Sequence, residues 1–175
     1  MADFKGEHLQ KALRKFGKKT VQRAASLLIT GKRGYDTGKL MKSLDYDLAI
    51  TANAFALKFN YLNYGEYIDK GRGGAKKSSG GTTFKNILQW VQRKNLRPRN
   101  SKGQFVAWKN KSQQQRSIAF VITRKINRFG FKGTGFFTNA FKENFKKLPT
   151  QIKKSYGLDF DKFMKQTLDE LNKTK

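Results

Sequence analysis

The chain has 175 residues and 38 Lys and Arg against 12 Asp and Glu, a formal charge of +26. An apolar content of 37%, with 15 Phe, 6 Tyr and 2 Trp, is enough for one core and excludes a disordered basic tail. The lack of cysteine excludes a disulfide framework and thiolate zinc sites, and no apolar run approaches the roughly 20 residues of a membrane-spanning helix.

The first predicted element is a helix over Phe4 to Ile29, because Leu9, Leu13, Phe16, Thr20, Val21, Ala24, Leu27 and Leu28 recur at three- and four-residue steps. Gly31 and Gly34 end it. Its first residues, Met1 to Gly17, are charged and amphipathic, unlike a secretory signal, and point to synthesis in a reducing cytoplasm. His8, the sole histidine, is expected to face solvent on this helix. Asp36 to Leu44 reads as a capped turn and a short helical turn.

The period then changes to two. Leu44, Tyr46, Leu48 and Ile50 alternate with polar or small residues, as do Phe55, Leu57, Phe59 and Tyr61 after Thr51-Ala52-Asn53. Two half-buried strands in a β-hairpin lying against the first helix are expected.

From Lys70 to Lys142 the chain runs 73 residues without one Asp or Glu while placing 18 Lys and Arg there. A single-sign surface repels itself unless a counter-charge is supplied, so an acidic partner is expected opposite this stretch. Tyr61 to Gly81 is rich in Gly and Ser and reads as a mobile loop, ordered by that partner. Phe84, Ile87, Leu88 and Val91 mark a helix stopped near Leu96 by Pro98. A second basic loop runs from Arg97 to Lys111 with Phe105 and Trp108. Ile118, Val121, Ile122, Ile126 and Phe129 form another helical stripe, with Arg116, Arg124 and Arg128 lying off it. Phe129 to Phe137 reads as extended chain, and Phe141 and Phe145 as part of a short helix over Asn139 to Lys147. Beyond Pro149 lies a final helical region, interrupted at Gly157, which is expected to pack on a neighbouring subunit; five of the twelve acids fall between Glu143 and Glu170.

The expected fold is therefore α+β: a long N-terminal helix on a small antiparallel sheet, further helices and a helical C-terminal extension. The expected division is one domain over 1–148, with basic loops at 71–82 and 97–112, and an extension over 149–175.

Chemistry for an enzyme is thin. Asp45 and Asp47 share a strand face, and with Glu66 and Asp69 they sketch a magnesium cluster of the kind a nuclease needs. The same alternation is what the polar face of a half-buried strand requires, and that reading is preferred. Gly74-Ala75-Lys76-Lys77-Ser78 fails the phosphate-loop pattern, since Lys76 stands where the Gly before the lysine belongs. No catalytic, metal or cofactor-binding residue is assigned. Phosphate or acidic-protein contacts are expected from Arg72, Lys76, Lys77, Arg93, Lys94, Arg97, Arg99, Lys102, Lys109 and Lys111, with Phe105, Trp108, Phe136 and Phe137 as interface anchors.

The order of parts resembles the neck and tail-completion proteins of tailed bacteriophages. Thr37-Gly38-Lys39-Leu40-Met41-Lys42-Ser43 is similar to that family's Thr-Gly-x-Leu-x-x-Ser turn. Tyr61-Leu62-Asn63-Tyr64-Gly65-Glu66-Tyr67-Ile68-Asp69-Lys70-Gly71 is similar to its sheet-closing Tyr-x-x-Tyr segment, and Gly133 to Phe141 to its C-terminal motif, without the usual proline. The resemblance implies a structural virion protein without cofactor or enzymatic activity, a cyclic homo-oligomer of six or twelve copies at the head-tail junction. Its implied partners are portal or adaptor proteins, tail proteins and genomic DNA in the channel, with no membrane. A cytoplasmic non-specific nucleic-acid-binding protein is the alternative that charge alone suggests, and a metal-dependent nuclease a further one.

Overall fold

The computed structural model describes residues 6–31, 36–51, 54–74 and 82–173. Phe4 at the expected helix start, Gly34, Ala52 and Asn53 in the hairpin turn, and Ala75 to Gly81 of the Gly-rich loop, with Lys76 and Lys77, lie outside the described residues. In chain order the elements are α1 (Glu7–Thr30), α2 (Lys39–Lys42), β1 (Asp45–Thr51), β2 (Ala54–Asn60), α3 (Tyr64–Lys70), β3 (Gly71–Arg72), α4 (Thr82–Arg93), α5 (Lys111–Phe129), β4 (Phe131–Lys132), α6 (Phe136–Phe145) and α7 (Leu148–Lys173). The architecture is α+β, with a long first helix and a small antiparallel sheet.

The chain divides into two compact units. One comprises Met1–Asp69 with Thr134–Lys175, the other Lys70–Gly133. This differs from the expected division at 148: α7 belongs to the first unit, and the basic middle of the chain is a unit of its own. The apolar stripe of α7 explains the difference, because Leu148 and Ile152 join Leu9, Leu13 and Phe16 of α1 in one core cluster. Gly157 does not interrupt α7, which runs unbroken for 26 residues. A mid-helix glycine costs only about 1 kcal/mol, which its neighbours offset.

In the first unit α1 buries the predicted stripe, Leu9, Leu13, Phe16, Thr20, Ala24 and Leu28, together with Gly17. Gly17 sets how closely the hairpin approaches. A Cβ there would lie 2.5 Å from the Tyr46 ring of β1. β1 and β2 pair antiparallel from Asp45 opposite Asn60 to Thr51 opposite Ala54, and Phe55, Leu57 and Phe59 turn towards the core as the alternation required. A second cluster gathers Ala24, Leu28, Leu40, Leu44, Phe136 and Ala140. Phe16, Phe59 and Phe141 meet edge to face at 5.7 to 6.2 Å between centroids, the arrangement the ring quadrupole favours.

The expected mobile loop after Tyr61 is instead helix α3. Gly65 lets it pack tightly, since a Cβ there would lie 2.7 Å from the Tyr61 ring and 2.8 Å from Leu40. Asp69, only 5% exposed, ties α3 to α6: its carboxylate accepts from the backbone N–H groups of Phe137 at 2.7 Å and Thr138 at 3.1 Å, and from the Thr138 hydroxyl. Asp159, 4% exposed, does the same for α1, accepting from the N–H groups of His8 and Leu9 at 2.8 Å each. Both helices begin on a left-handed glycine, Gly6 or Gly135, whose residue has no side chain to cap the free N–H groups. A buried aspartate from elsewhere in the unit supplies the missing cap.

Candidate functional site

The unit from Lys70 to Gly133 holds 17 of the 38 basic residues and none of the 12 acids. Its frame is the pair α4 and α5, packed through Val91 and Ala119, both fully buried. The start of α5 is polar and stands on a cap: the Asn110 side chain accepts from the Gln113 N–H at 3.1 Å, and the Gln114 side chain accepts from the Lys109 N–H at 3.1 Å. This carries α5 a full two turns earlier than its apolar stripe predicted. At the other end β3 pairs with β4, Gly71 opposite Lys132 and Arg72 opposite Phe131. Gly130 follows α5 with φ +70°, and a Cβ there would stand 1.9 Å from the Arg72 carbonyl oxygen. Only glycine fits that crossing.

The expected basic loop from Arg97 to Lys111 is a tight hairpin rather than a loose segment. Arg99 and Phe105 form a β-bridge, the Val106 N–H donates to the Pro98 carbonyl at 3.0 Å, and the Asn100 N–H to the Gln104 carbonyl at 3.0 Å. The Asn100 side chain closes the turn by accepting from the N–H groups of Lys102 at 3.0 Å and Gln104 at 2.9 Å. Asparagine is suited to such self-capping turns, so the order comes from one side chain that apolar patterning does not reveal. Arg99 lies with its guanidinium carbon 4.4 Å from the centre of the Phe105 ring. Phe105 is 63% exposed and thus acts as a platform for the cation rather than a core residue.

Of the residues expected to meet an acidic partner, Arg72, Arg93, Lys94, Arg97, Arg99, Lys102, Lys109 and Lys111 are exposed in this unit. Trp108 is half-buried. Phe136 is not an exposed anchor: at 1% exposure it fills the core of the first unit, because it is the first residue of α6 and faces α1 and α2. Phe137 is half-buried and packs on Phe59 and Tyr61 at 5.3 Å. Sequence reasoning set Arg116, Arg124 and Arg128 off the apolar stripe but assigned no partner contact to the outward side of α5, where Arg116, Phe120, Arg124 and Arg128 follow one another at four-residue steps with Val121 and Lys125 alongside. The regular spacing of arginine around phenylalanine was the available signal.

The sketched carboxylate cluster is not assembled. Among the described residues no three His, Cys, Asp or Glu side chains come together to hold a metal ion. Asp45 and Asp47 stand exposed on β1, Asp47 accepting from the Asn60 amide at 2.6 Å, and Asp69 is held as the α6 cap. His8 is exposed, as expected. In a shallow groove beside Ser43 and Asn60 to Tyr64, the Tyr64 hydroxyl is pushed up from its ordinary value by desolvation and by the charge of Asp36.

No family model, curated protein or solved structure matches this chain. The arrangement itself supplies the chemistry: a folded surface of one charge sign, with guanidinium groups held on aromatic rings. The chemistry such a surface offers is charge-assisted hydrogen bonding to phosphate or carboxylate oxygens, which carries no base sequence information.

Proposed function

We propose that the chain is a structural protein of a tailed-bacteriophage head-tail junction, a neck or tail-completion component that assembles into a ring of six or twelve copies. The observation that carries this reading is the meeting of the two segments that resemble that family. Ile68 and Asp69, at the end of the Tyr-x-x-Tyr segment, accept from the N–H groups of Thr134 at 2.8 Å and Gly135 at 2.9 Å, at the head of the C-terminal motif. They stand 66 residues apart in sequence yet form one structural joint, locked by the Asp69 cap. The acid-free unit is then the insertion at the place where the family carries its variable loop.

In this role the chain joins portal or adaptor proteins to tail proteins, and its basic unit meets the genome in the channel. A repeated head-to-tail contact closes into a ring when its rotation divides the circle. Subunits that neutralise phosphates gain from counterion release, about 0.9 ions per phosphate on duplex DNA, with no need for base contacts. The test is the mass of the purified protein in low and high salt, with and without virion necks. A six- or twelve-copy ring that incorporates into necks is expected. A monomer that binds DNA and is released by salt overturns the ring in favour of a non-specific nucleic-acid-binding protein, which the acid-free unit supports independently. Among the described residues no helix is long and apolar enough to cross a membrane.

A further inference from the structure

The outward side of α5 is unusual for a chain so rich in charge. Phe120 is 59% exposed and Val121 64% exposed. Around them stand Arg116, Arg124, Lys125 and Arg128, all exposed, while Gln115 and Ala119 on the opposite side are buried. A helix places residues four apart in one row, so Arg116, Phe120, Arg124 and Arg128 form a line with Val121 and Lys125 in the next row. The result is an apolar centre with a cationic rim.

We infer that this face docks an acidic amphipathic segment of a partner protein. The charge of the rim, in a unit with no carboxylate of its own, requires an acidic occupant. The apolar centre decides which kind. Phosphates of a duplex are hydrated and would gain nothing from Phe120 and Val121, whereas a helix or strand carrying apolar residues between carboxylates would bury both side chains and pair the rim. Phenylalanine and arginine are also among the residues enriched at protein interfaces over the rest of the surface. The inference stands apart from the ring, since it needs only this face and its occupant.

The experiment uses the full chain and three probes at one moderate ionic strength: a synthetic helical peptide with leucine at every third and fourth position and glutamate elsewhere, a scrambled peptide of the same composition, and a short DNA duplex. Wild type is expected to bind the amphipathic peptide more tightly than the scrambled one. The double variant Phe120→Ser, Val121→Ser is expected to lose tenfold or more in affinity for the amphipathic peptide while keeping its duplex affinity within about twofold. Arg124→Gln with Lys125→Gln is expected to weaken both. Both apolar side chains are exposed, so an unchanged urea midpoint serves as the folding control. A wild type that does not distinguish the two peptides, or a double variant that binds the amphipathic peptide as before, overturns the inference. Equal losses for peptide and duplex also overturn it and assign the face to nucleic acid.

Discussion

Asp69→Ala removes the cap of α6 and leaves three donors without their acceptor: the N–H groups of Phe137 and Thr138 and the Thr138 hydroxyl. A lost N-cap costs about 0.5–2 kcal/mol, and each buried donor stranded without a partner about 1–3 kcal/mol. Water reaching the half-buried Thr138 offsets part of this, so a loss of about 3 kcal/mol is expected, which for a chain of this length lowers Tm by about 6–12 °C. Asp69→Asn keeps one acceptor oxygen and loses the charge, and should cost about 1–2 kcal/mol. Urea denaturation followed by far-UV circular dichroism, with amide exchange at Phe137 and Thr138, measures both. A cost below 1 kcal/mol for the alanine variant, or equal costs for the two variants, would refute the capping argument. Chelators should leave the wild-type midpoint unmoved, because the carboxylate is occupied by protein donors rather than by a metal ion.

Four further outcomes are expected. Asp159→Ala frees the His8 and Leu9 N–H groups and should cost about 2 kcal/mol, with faster amide exchange confined first to the start of α1. Gly130→Ala meets the Arg72 carbonyl and a left-handed backbone together, so it should speed exchange in α5 by at least about tenfold while leaving α1 protected. Thr20→Val should stabilise the first unit by about 1 kcal/mol in urea melts, since the Thr20 hydroxyl is fully buried and has no hydrogen-bond partner among the described residues. The Glu143 carboxyl is held below its usual range by the hydrogen bond from Arg23, partly offset by desolvation and aided by the charges of Arg23 and Lys146. A depressed pKa contributes stability above the unfolded value and loses it as pH falls through the folded one. Arg23→Gln should therefore be less stable than wild type at neutral pH, with the gap closing as pH falls below about 4.3, the ordinary glutamate value.

What could be read from sequence was what periodicity writes. The α1 stripe and the alternation of β1 and β2 each repeat an apolar residue often enough to set a face, and both elements formed within a few residues of their predicted limits. Helix α3 was hidden because its seven residues include Gly65 and only one half-buried apolar side chain, Ile68; its conformation depends on Asp69 and the packing of Leu40, which sequence spacing does not encode. The hairpin at Arg99 to Phe105 depends on one asparagine, and the β3–β4 pair on two residues per strand. The basic region was legible as a total of charges, yet the α5 face was missed because Val121, counted into the buried stripe, in fact faces outward with Phe120.

The acid-free unit has a property beyond its sign. Between Lys70 and Gly133 there is no Asp, Glu, His, Cys or Tyr, so every ionisable side chain in it is Lys or Arg. The unit therefore brings no carboxylate, imidazole, thiol or phenol of its own to a contact, and a response to proton concentration has to come from the partner's acids. Ionic strength acts on the unit directly, through a screening length of about 10 Å at 0.1 M and 3 Å at 1 M. Attachment through this unit is in that sense a salt-gated contact whose pH sensor lies on the partner's side.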